Sequence, residues 1–359
     1  MLKCFLTNLR IGILKADFSK RPLFLSGTTI GIDIAKNVFQ LHGVDRHGKT
    51  SLRKTVTRAK FLETLANLAP CLIGIEACGG AHHWARKITQ LGHTVRMIAP
   101  QFVVPYRKSG KNDANDAEAI CEAVARPNMR FVPVKTPEQQ AALTRHRVRE
   151  SIKVDRTALI NRIRGLLQEF GIVLPQGAAK FPQRLLAAIT DADMPMEAIG
   201  LFAALRGDLL RLDDRLAECD QRIARLAQEE TAQRLAEIPG IGPVTATAVV
   251  ATVGDAKLFR NGRELAAWVG LVPRQSSSGG KTRLGRITKH GDSYLRTLFV
   301  QGVMAVIRHV GEKSDLRSQW IRDLVNRRGV QKTAVALAAK MVRTAWALMA
   351  REESYRMPV

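Results

Sequence analysis

The chain has 359 residues, 46% hydrophobic and 25% charged, an ordinary composition for a folded protein of two or three domains. Lys and Arg number 56 against 32 Asp and Glu, leaving a net charge of +24 and an isoelectric point near 10.5. Such an excess costs self-repulsion in the compact state and points to a polyanionic partner, while no apolar run reads as long enough to span a bilayer, so no membrane partner is expected.

The cysteines (Cys4, Cys71, Cys78, Cys121, Cys219) are scattered without CxxC spacing, and the histidines show no ligand pattern. Neither a zinc site nor a disulfide framework is expected, and a reduced cytoplasm is the default compartment. Residues 1–27 carry charges inside their apolar stretch and lack a clear cleavage site, so they read as a basic extension and not as a secretory signal.

From residue 28 to 136, short β-rich runs alternate with helical stretches. TTIGIDIAKNVFQLHGVD, a turn at RHGK and SLRKTVT read as a hairpin. Ala59–Leu68 reads as a helix, CLIGIEA as a buried strand, His82–Leu91 as a helix, HTVRMIAP as a strand and Asp113–Ala125 as a helix. That alternation implies an α/β domain with a partly parallel sheet. Residues 137–230 read as two long helices. Leu205, Leu209, Leu212, Leu216, Cys219, Ile223 and Leu226 step by four and three, and Val148, Ile152, Leu159, Ile163, Leu166 and Phe170 form a similar seam. The two seams suggest a coiled-coil hairpin, closed within the chain or against a second copy. The basic first helix (Arg145, Arg147, Arg149, Lys153, Arg156, Arg162, Arg164) is expected to meet a nucleic-acid backbone. Residues 231–359 read as a mostly α-helical domain.

Four carboxylates stand at positions suited to metal binding. Asp33 lies on a strand whose neighbours Ile32 and Ile34 face the other way, and Glu76 ends the strand LIGIE. Asp113 and Asp116 share one face at a helix start. Oxygen ligands of this kind suit Mg²⁺ or Mn²⁺, and two such ions serve phosphodiester chemistry. Taken singly each residue is unremarkable, since DxxD is a common helix start.

Farther on, IPGIGPVTATAV places Gly240 and Gly242 before a helix, as in a helix-hairpin-helix element whose backbone N–H groups approach a phosphate. The stretch RQSSSGGKTRLGRITK follows. Its serines sit in a basic Gly/Ser-rich loop, which suits either a plain linker or a nucleophile among cations that would stabilise a phosphoryl transition state.

The stretches GIDIAKNVFQLHGVD, GIEACGGAHHWAR, KNDANDAEAI, IPGIGPVTATAV and GLVPRQSSSGGKTRLGRITKHGDSYLR, in this order, resemble the DEDD transposases of the insertion-sequence 110 family, especially its 1111 subgroup. The resemblance implies an α/β RuvC-like (RNase H fold) N-terminal domain, a helical coiled-coil middle and a mostly α-helical C-terminal transposase domain with a helix-hairpin-helix element. It implies DNA excision and insertion in a bacterial cytoplasm, at the nucleoid, with Mg²⁺ (or Mn²⁺) on Asp33, Glu76, Asp113 and Asp116. Ser278 corresponds to the nucleophile, with Ser277 as the alternative one place earlier. Gly240, Gly242, Arg274, Lys281, Arg283, Arg286 and Lys289 would contact nucleic acid. Donor and target DNA, an element-encoded guide RNA (bridge RNA) and a homo-oligomer, dimer or tetramer, are the implied partners. KNDANDA departs from the family's usual KTDxxDA by Asn112. A structure-specific nuclease using water, or a non-catalytic architectural protein, would account for the charge but leave the serine segment or the ordered carboxylates without a role.

Overall fold

Residues 28–108, 112–311 and 313–356 are described in the computed structural model, and the basic extension over residues 1–27 lies outside them. Between Thr136 and Pro137 the chain divides into two compact units.

The first unit is built on a mixed sheet of order β3-β2-β1-β4-β5-β6. Its strands are β1 (Thr29–Ile34), β2 (Val38–Val44), β3 (Thr50–Thr57), β4 (Leu72–Glu76), β5 (Thr94–Ile98) and β6 (Phe131–Val132). β1, β4 and β5 run parallel, and β2, β3 and β6 pair antiparallel. The α/β reading is met, with one addition: β1 also turns back on β2, so the expected hairpin is a three-stranded meander. The central strands are apolar along their length because both faces are covered. Helices α1 (Phe61–Ala66) and α2 (Ala81–Gln90) cover the face bearing Ile30, Ile32, Ile73 and Ile75, where Phe39 stacks on Phe61 at 4.3 Å. After the short α3 (Pro100–Val103), α4 (Asp113–Val124) covers the other face.

That second face carries Gly31 and Gly74, which are register partners on β1 and β4. A Cβ on Gly31 would lie 2.2 Å from the Ala117 carbonyl oxygen and 2.3 Å from the Cys121 nitrogen. One on Gly74 would lie 2.8 Å from Val124 Cβ. The helix therefore rests directly on the sheet backbone, and the Cys121 thiol donates to the Thr29 carbonyl at 3.3 Å. Such contact is possible only where the strand has no side chain.

In the second unit α5 (Pro137–Gln168) packs antiparallel on α7 (Met196–Leu226), with α6 (Phe181–Thr190) between them in sequence. Arg149 pairs with Asp220 and Arg156 with Asp213, seven residues on along α5 and seven back along α7. Much of the α7 seam is spent here: Leu209 is buried in a core on which Leu205 and Leu212 pack, Ile223 is buried farther along, and Leu216, Cys219 and Leu226 are half-buried. The α5 seam is corrected. Ile152, Leu159 and Ile163 are buried as expected, but Val148, Leu166 and Phe170 are exposed, and Ile160 and Leu167 are buried in their stead. Of the basic residues on α5, Arg149 and Arg156 are held by these ion pairs, Lys153 by Glu150, and Arg164 by the Pro175 and Gly177 carbonyls. Arg145, Arg147 and Arg162 remain exposed to a polyanion.

The chain continues through α8 (Glu230–Ala236), α9 (Pro243–Val253), α10 (Gly262–Val269), the hairpin β7 (Pro273–Ser278) and β8 (Lys281–Ile287), α11 (Ser293–Arg308), α12 (Leu316–Arg328) and α13 (Val330–Arg351). His146 on α5 is buried between Tyr294 of α11 and Thr247 of α9, at 3.0 and 3.1 Å. Burial depresses its pKa to about 4, so the imidazole is a neutral link at physiological pH. One expectation fails at α13, which by length and composition alone would suffice to cross a bilayer. Its Leu337, Ala338, Met341, Val342 and Ala345 are buried in the helical core, which accounts for that composition.

The glycine pair gives a graded test by denaturant unfolding. Gly31→Ala meets rigid backbone and should cost about 3 kcal/mol or more, whereas Gly74→Ala meets a side chain and should cost about 1–2 kcal/mol, within the range of overpacked cores. Val124→Ala added to Gly74→Ala should recover part of the loss, and the same addition to Gly31→Ala should recover none.

Candidate active site

Asp33 and Glu76 come to one level through strand register. Ile32 pairs with Ile75 across the parallel β1–β4 ladder, so the next residue on each strand is the acid. Each acid lies two positions after its glycine and therefore on the face where α4 lies. The tripeptides GID and GIE thus carry one device twice: the glycine admits the helix and the acid faces its start.

α4 begins with Asn112, whose side chain accepts the Asn115 N–H at 2.8 Å. Asn serves as N-cap much as Thr would, which accounts for the departure within KNDANDA. Asp113 and Asp116 then occupy the first turn. All four acids share a field. Asp33 is pushed up to about 6, first by burial and then by the charges of Asp113, Asp116 and Glu76. Glu76 is raised as well, by burial and then by Asp116, with Arg107 opposing.

Arg107 is a member of the site that the pattern of acids does not announce. Its guanidinium lies 2.8 Å from the Asp116 carboxylate. Among the described residues no three acids, histidines or cysteines are already gathered as a metal shell. The donor type nevertheless suits a hard divalent cation: after burial, the groups that raise Asp33 are the carboxylates of Asp113, Asp116 and Glu76, and oxygen ligands of this kind are what Mg²⁺ or Mn²⁺ takes.

The serine segment is a hairpin and not the loop expected. β7 and β8 pair antiparallel, with Ser278 opposite Lys281, Ser277 opposite Thr282 and Ser276 opposite Arg283. Gly279 and Gly280 both have positive φ, +54° and +75°, as a two-residue turn between right-twisted strands requires. Partners across a ladder share a face. Ser278 therefore stands with Ser276, Lys281 and Arg283, and Ser277 with Gln275, Thr282 and Leu284. Ser277 is engaged on its side, accepting from Gln275 Nε2 at 2.9 Å. Arg274, Lys281, Arg283, Arg286 and Lys289 are all exposed.

The glycines before α9 differ from each other. Gly240, at φ +96°, is packed so closely that a Cβ would meet Met341 and the Gly302 carbonyl at 2.8 and 2.9 Å. Gly242 precedes α9 with open space around it.

Known sequences resemble the chain along most of its length. Residues 30–172 match the DEDD transposase pattern of the IS110 type, and residues 232–320 match the pattern described as transposase IS116/IS110/IS902 family. A probable family 20 transposase of Pseudomonas aeruginosa is 51% identical, covering 91% of this chain and 98% of its own. The transposase for insertion sequence element IS1111A of Coxiella burnetii is 43% identical over 94% of both chains. That for IS1328 of Yersinia enterocolitica is 42% identical over 89% of this chain and 96% of its own.

The raised Asp33 has a consequence for stability. Between its unperturbed value of 3.8 and about 6, the folded chain keeps a proton that the unfolded chain has lost. Metal-free stability should therefore fall as pH rises through that window. Asp33→Asn removes the cost, so calorimetry of the metal-free protein should show its unfolding midpoint raised by a few degrees at pH 8 and unchanged at pH 4. An equal shift at both pH values would assign the effect to packing instead.

Proposed function

Because the chain belongs to the IS116/IS110/IS902 family of transposases and is by that membership a DNA transposase, we propose that it cuts and rejoins DNA through the Asp33, Glu76, Asp113 and Asp116 site and a serine nucleophile, Ser278. The observation that carries this reading is the register that levels Asp33 with Glu76 under the start of α4. Mg²⁺ or Mn²⁺ held by these four carboxylates would supply Lewis-acid activation of the scissile phosphate. Arg107 keeps Asp116 neutralised in the absence of a cation and must yield it to one.

Ser278 attacks the phosphorus through Oγ. The bond to one DNA oxygen breaks, the serine proton leaves as the phosphoserine ester forms, and the departing DNA oxygen takes up a proton. Attack by a DNA hydroxyl on the ester then restores the serine and joins the strands. Choice of Ser278 over Ser277 is supported by its face: Lys281 and Arg283 lie on that side to stabilise charge growing on the phosphoryl oxygens, whereas Ser277 is bonded to Gln275. The open Gly242 at the start of α9 is the better of the two glycines for backbone contact with a phosphate, and Gly240 serves packing. Functionally, residues 137–230 form a helical, coiled-coil-like arm, and residues 231–359 form the nucleic-acid-binding portion with its helix-hairpin-helix element.

Donor and target DNA and an element-encoded guide RNA are the polyanions that a charge of +24 serves. A homo-oligomer follows from the need to hold two DNA ends, and not from the α7 seam, which closes on α5.

Ser278→Ala should retain nucleic-acid binding and lose cleavage by at least about 10³-fold, together with the covalent protein–DNA adduct seen on denaturing gels. Ser277→Ala should keep both within about tenfold. Cleavage unaffected by either change would favour a nuclease that uses water. Glu76→Ala or Asp113→Ala should abolish strand transfer while leaving nucleic-acid binding in place, and full activity in either would remove the carboxylates from the mechanism. Replacing the guide segment of the RNA should redirect insertion with the protein unchanged, and an unaltered target would remove RNA guidance from the reading.

A further inference from the structure

At the foot of the serine hairpin the second unit holds a groove of about 1290 Å³. Its floor is apolar: Leu271, Val272 and Ile287 from the hairpin's flanks, and Val335, Ala336 and Ala339 from α13. These α13 residues lie on the side of the helix opposite its buried Leu337, Ala338 and Met341, so the helix core and the groove use different stripes. The rim carries Arg263, Arg286, Lys289, Lys332 and Arg343, all exposed, with no acidic side chain among the described lining residues. Trp320 closes one side, and the Lys340 ammonium sits 4.9 Å from its ring centroid.

We propose that this groove takes a segment of single-stranded DNA, base faces on the apolar floor and Trp320, phosphates on the five cations. The proposal rests on the reading that the Ser278 hairpin acts on DNA. A duplex keeps its bases stacked inside and would leave the floor uncovered, whereas an unpaired strand offers both apolar faces and a regular line of charge. A second copy of this chain would bring its own positive charge against the rim. Position argues for DNA over RNA: the groove opens where β7 begins and β8 ends, on the strands that present the serine. From Pro273 to Ser278 β7 rises roughly 17 Å at about 3.3 Å per residue. At about 3.4 Å per stacked nucleotide, the groove would hold the strand on the order of five nucleotides from the phosphate that the serine meets.

The test uses the full chain carrying Ser278→Ala, in chelator, so that binding is read without chemistry. Fluorescence anisotropy compares a 15-nucleotide DNA strand, an RNA strand of the same sequence and the corresponding DNA duplex, before and after Lys332→Glu with Arg343→Glu. Affinity for the DNA strand should fall at least tenfold, and the slope of log K against log salt should shrink by about 1.4, two contacts at roughly 0.7 each. Duplex and RNA binding should change less than threefold. A bromodeoxyuridine-bearing strand should cross-link under ultraviolet light to the peptide containing Trp320. Both substituted side chains are exposed, and Lys332→Ala with Arg343→Ala should give a smaller loss in the same order, which separates charge from misfolding. An unchanged DNA strand, an equal loss for the duplex, or a larger loss for RNA would each overturn the proposal. The adduct formed by protein with Ser278 intact is scored separately, so failure of the serine reading is distinguishable from failure of the groove.

Discussion

The approach of α4 to the sheet governs the end of the first unit where the four carboxylates stand. A helix is normally held off the sheet it covers by the side chains of both. Here the β1 and β4 backbones present glycine at matching positions, and the helix backbone comes down onto them. This brings the first turn of α4, with Asp113 and Asp116, over the strand ends that carry Asp33 and Glu76. With a Cβ at Gly31, no rearrangement of side chains alone could keep that placement, because the obstacle is main chain.

Close approach of four acids is costly, and the structure shows how the cost is distributed. Asp33, the most affected, is raised by burial and by the other three. Asp116 is paired with Arg107, and Arg107 also opposes the rise that burial and Asp116 produce in Glu76. The charge of this group is thus tolerated and not cancelled, with Arg107 the cation set against it. In the second unit the balance is reversed. Two of the α5 cations, Arg149 and Arg156, are taken up by Asp partners on α7, while those around the serine hairpin stand exposed.

Much of this was legible in the residues. Strand and helix positions in the first unit followed from apolar runs and punctuation, and the acids stood out by order. Their glycines did not, because a glycine inside a strand usually reads as a weakness until the element lying over it is known. Arg107 carried no pattern at all. On α5 Ile152, Leu159 and Ile163 keep to the apolar seam, but the rest of that face is hard to read because Arg149 and Arg156 occupy positions toward α7 that only their Asp partners make tolerable. The serine hairpin was hidden for a different reason. Both its faces are open to solvent, so the alternation of apolar and polar residues that marks a strand is missing, and only the Gly-Gly pair signalled a two-residue turn.

That turn also acts as a parity gauge. In a ladder, side chains change sides at every residue, so the turn decides which of two neighbouring serines shares a side with the cations. Lengthening the connection by a single residue would slip one strand against the other and exchange the surroundings of Ser277 and Ser278 without altering either. Across related chains, drift in the composition of the hairpin should thus be tolerated more readily than drift in its length, and a change by two should be less disruptive than a change by one.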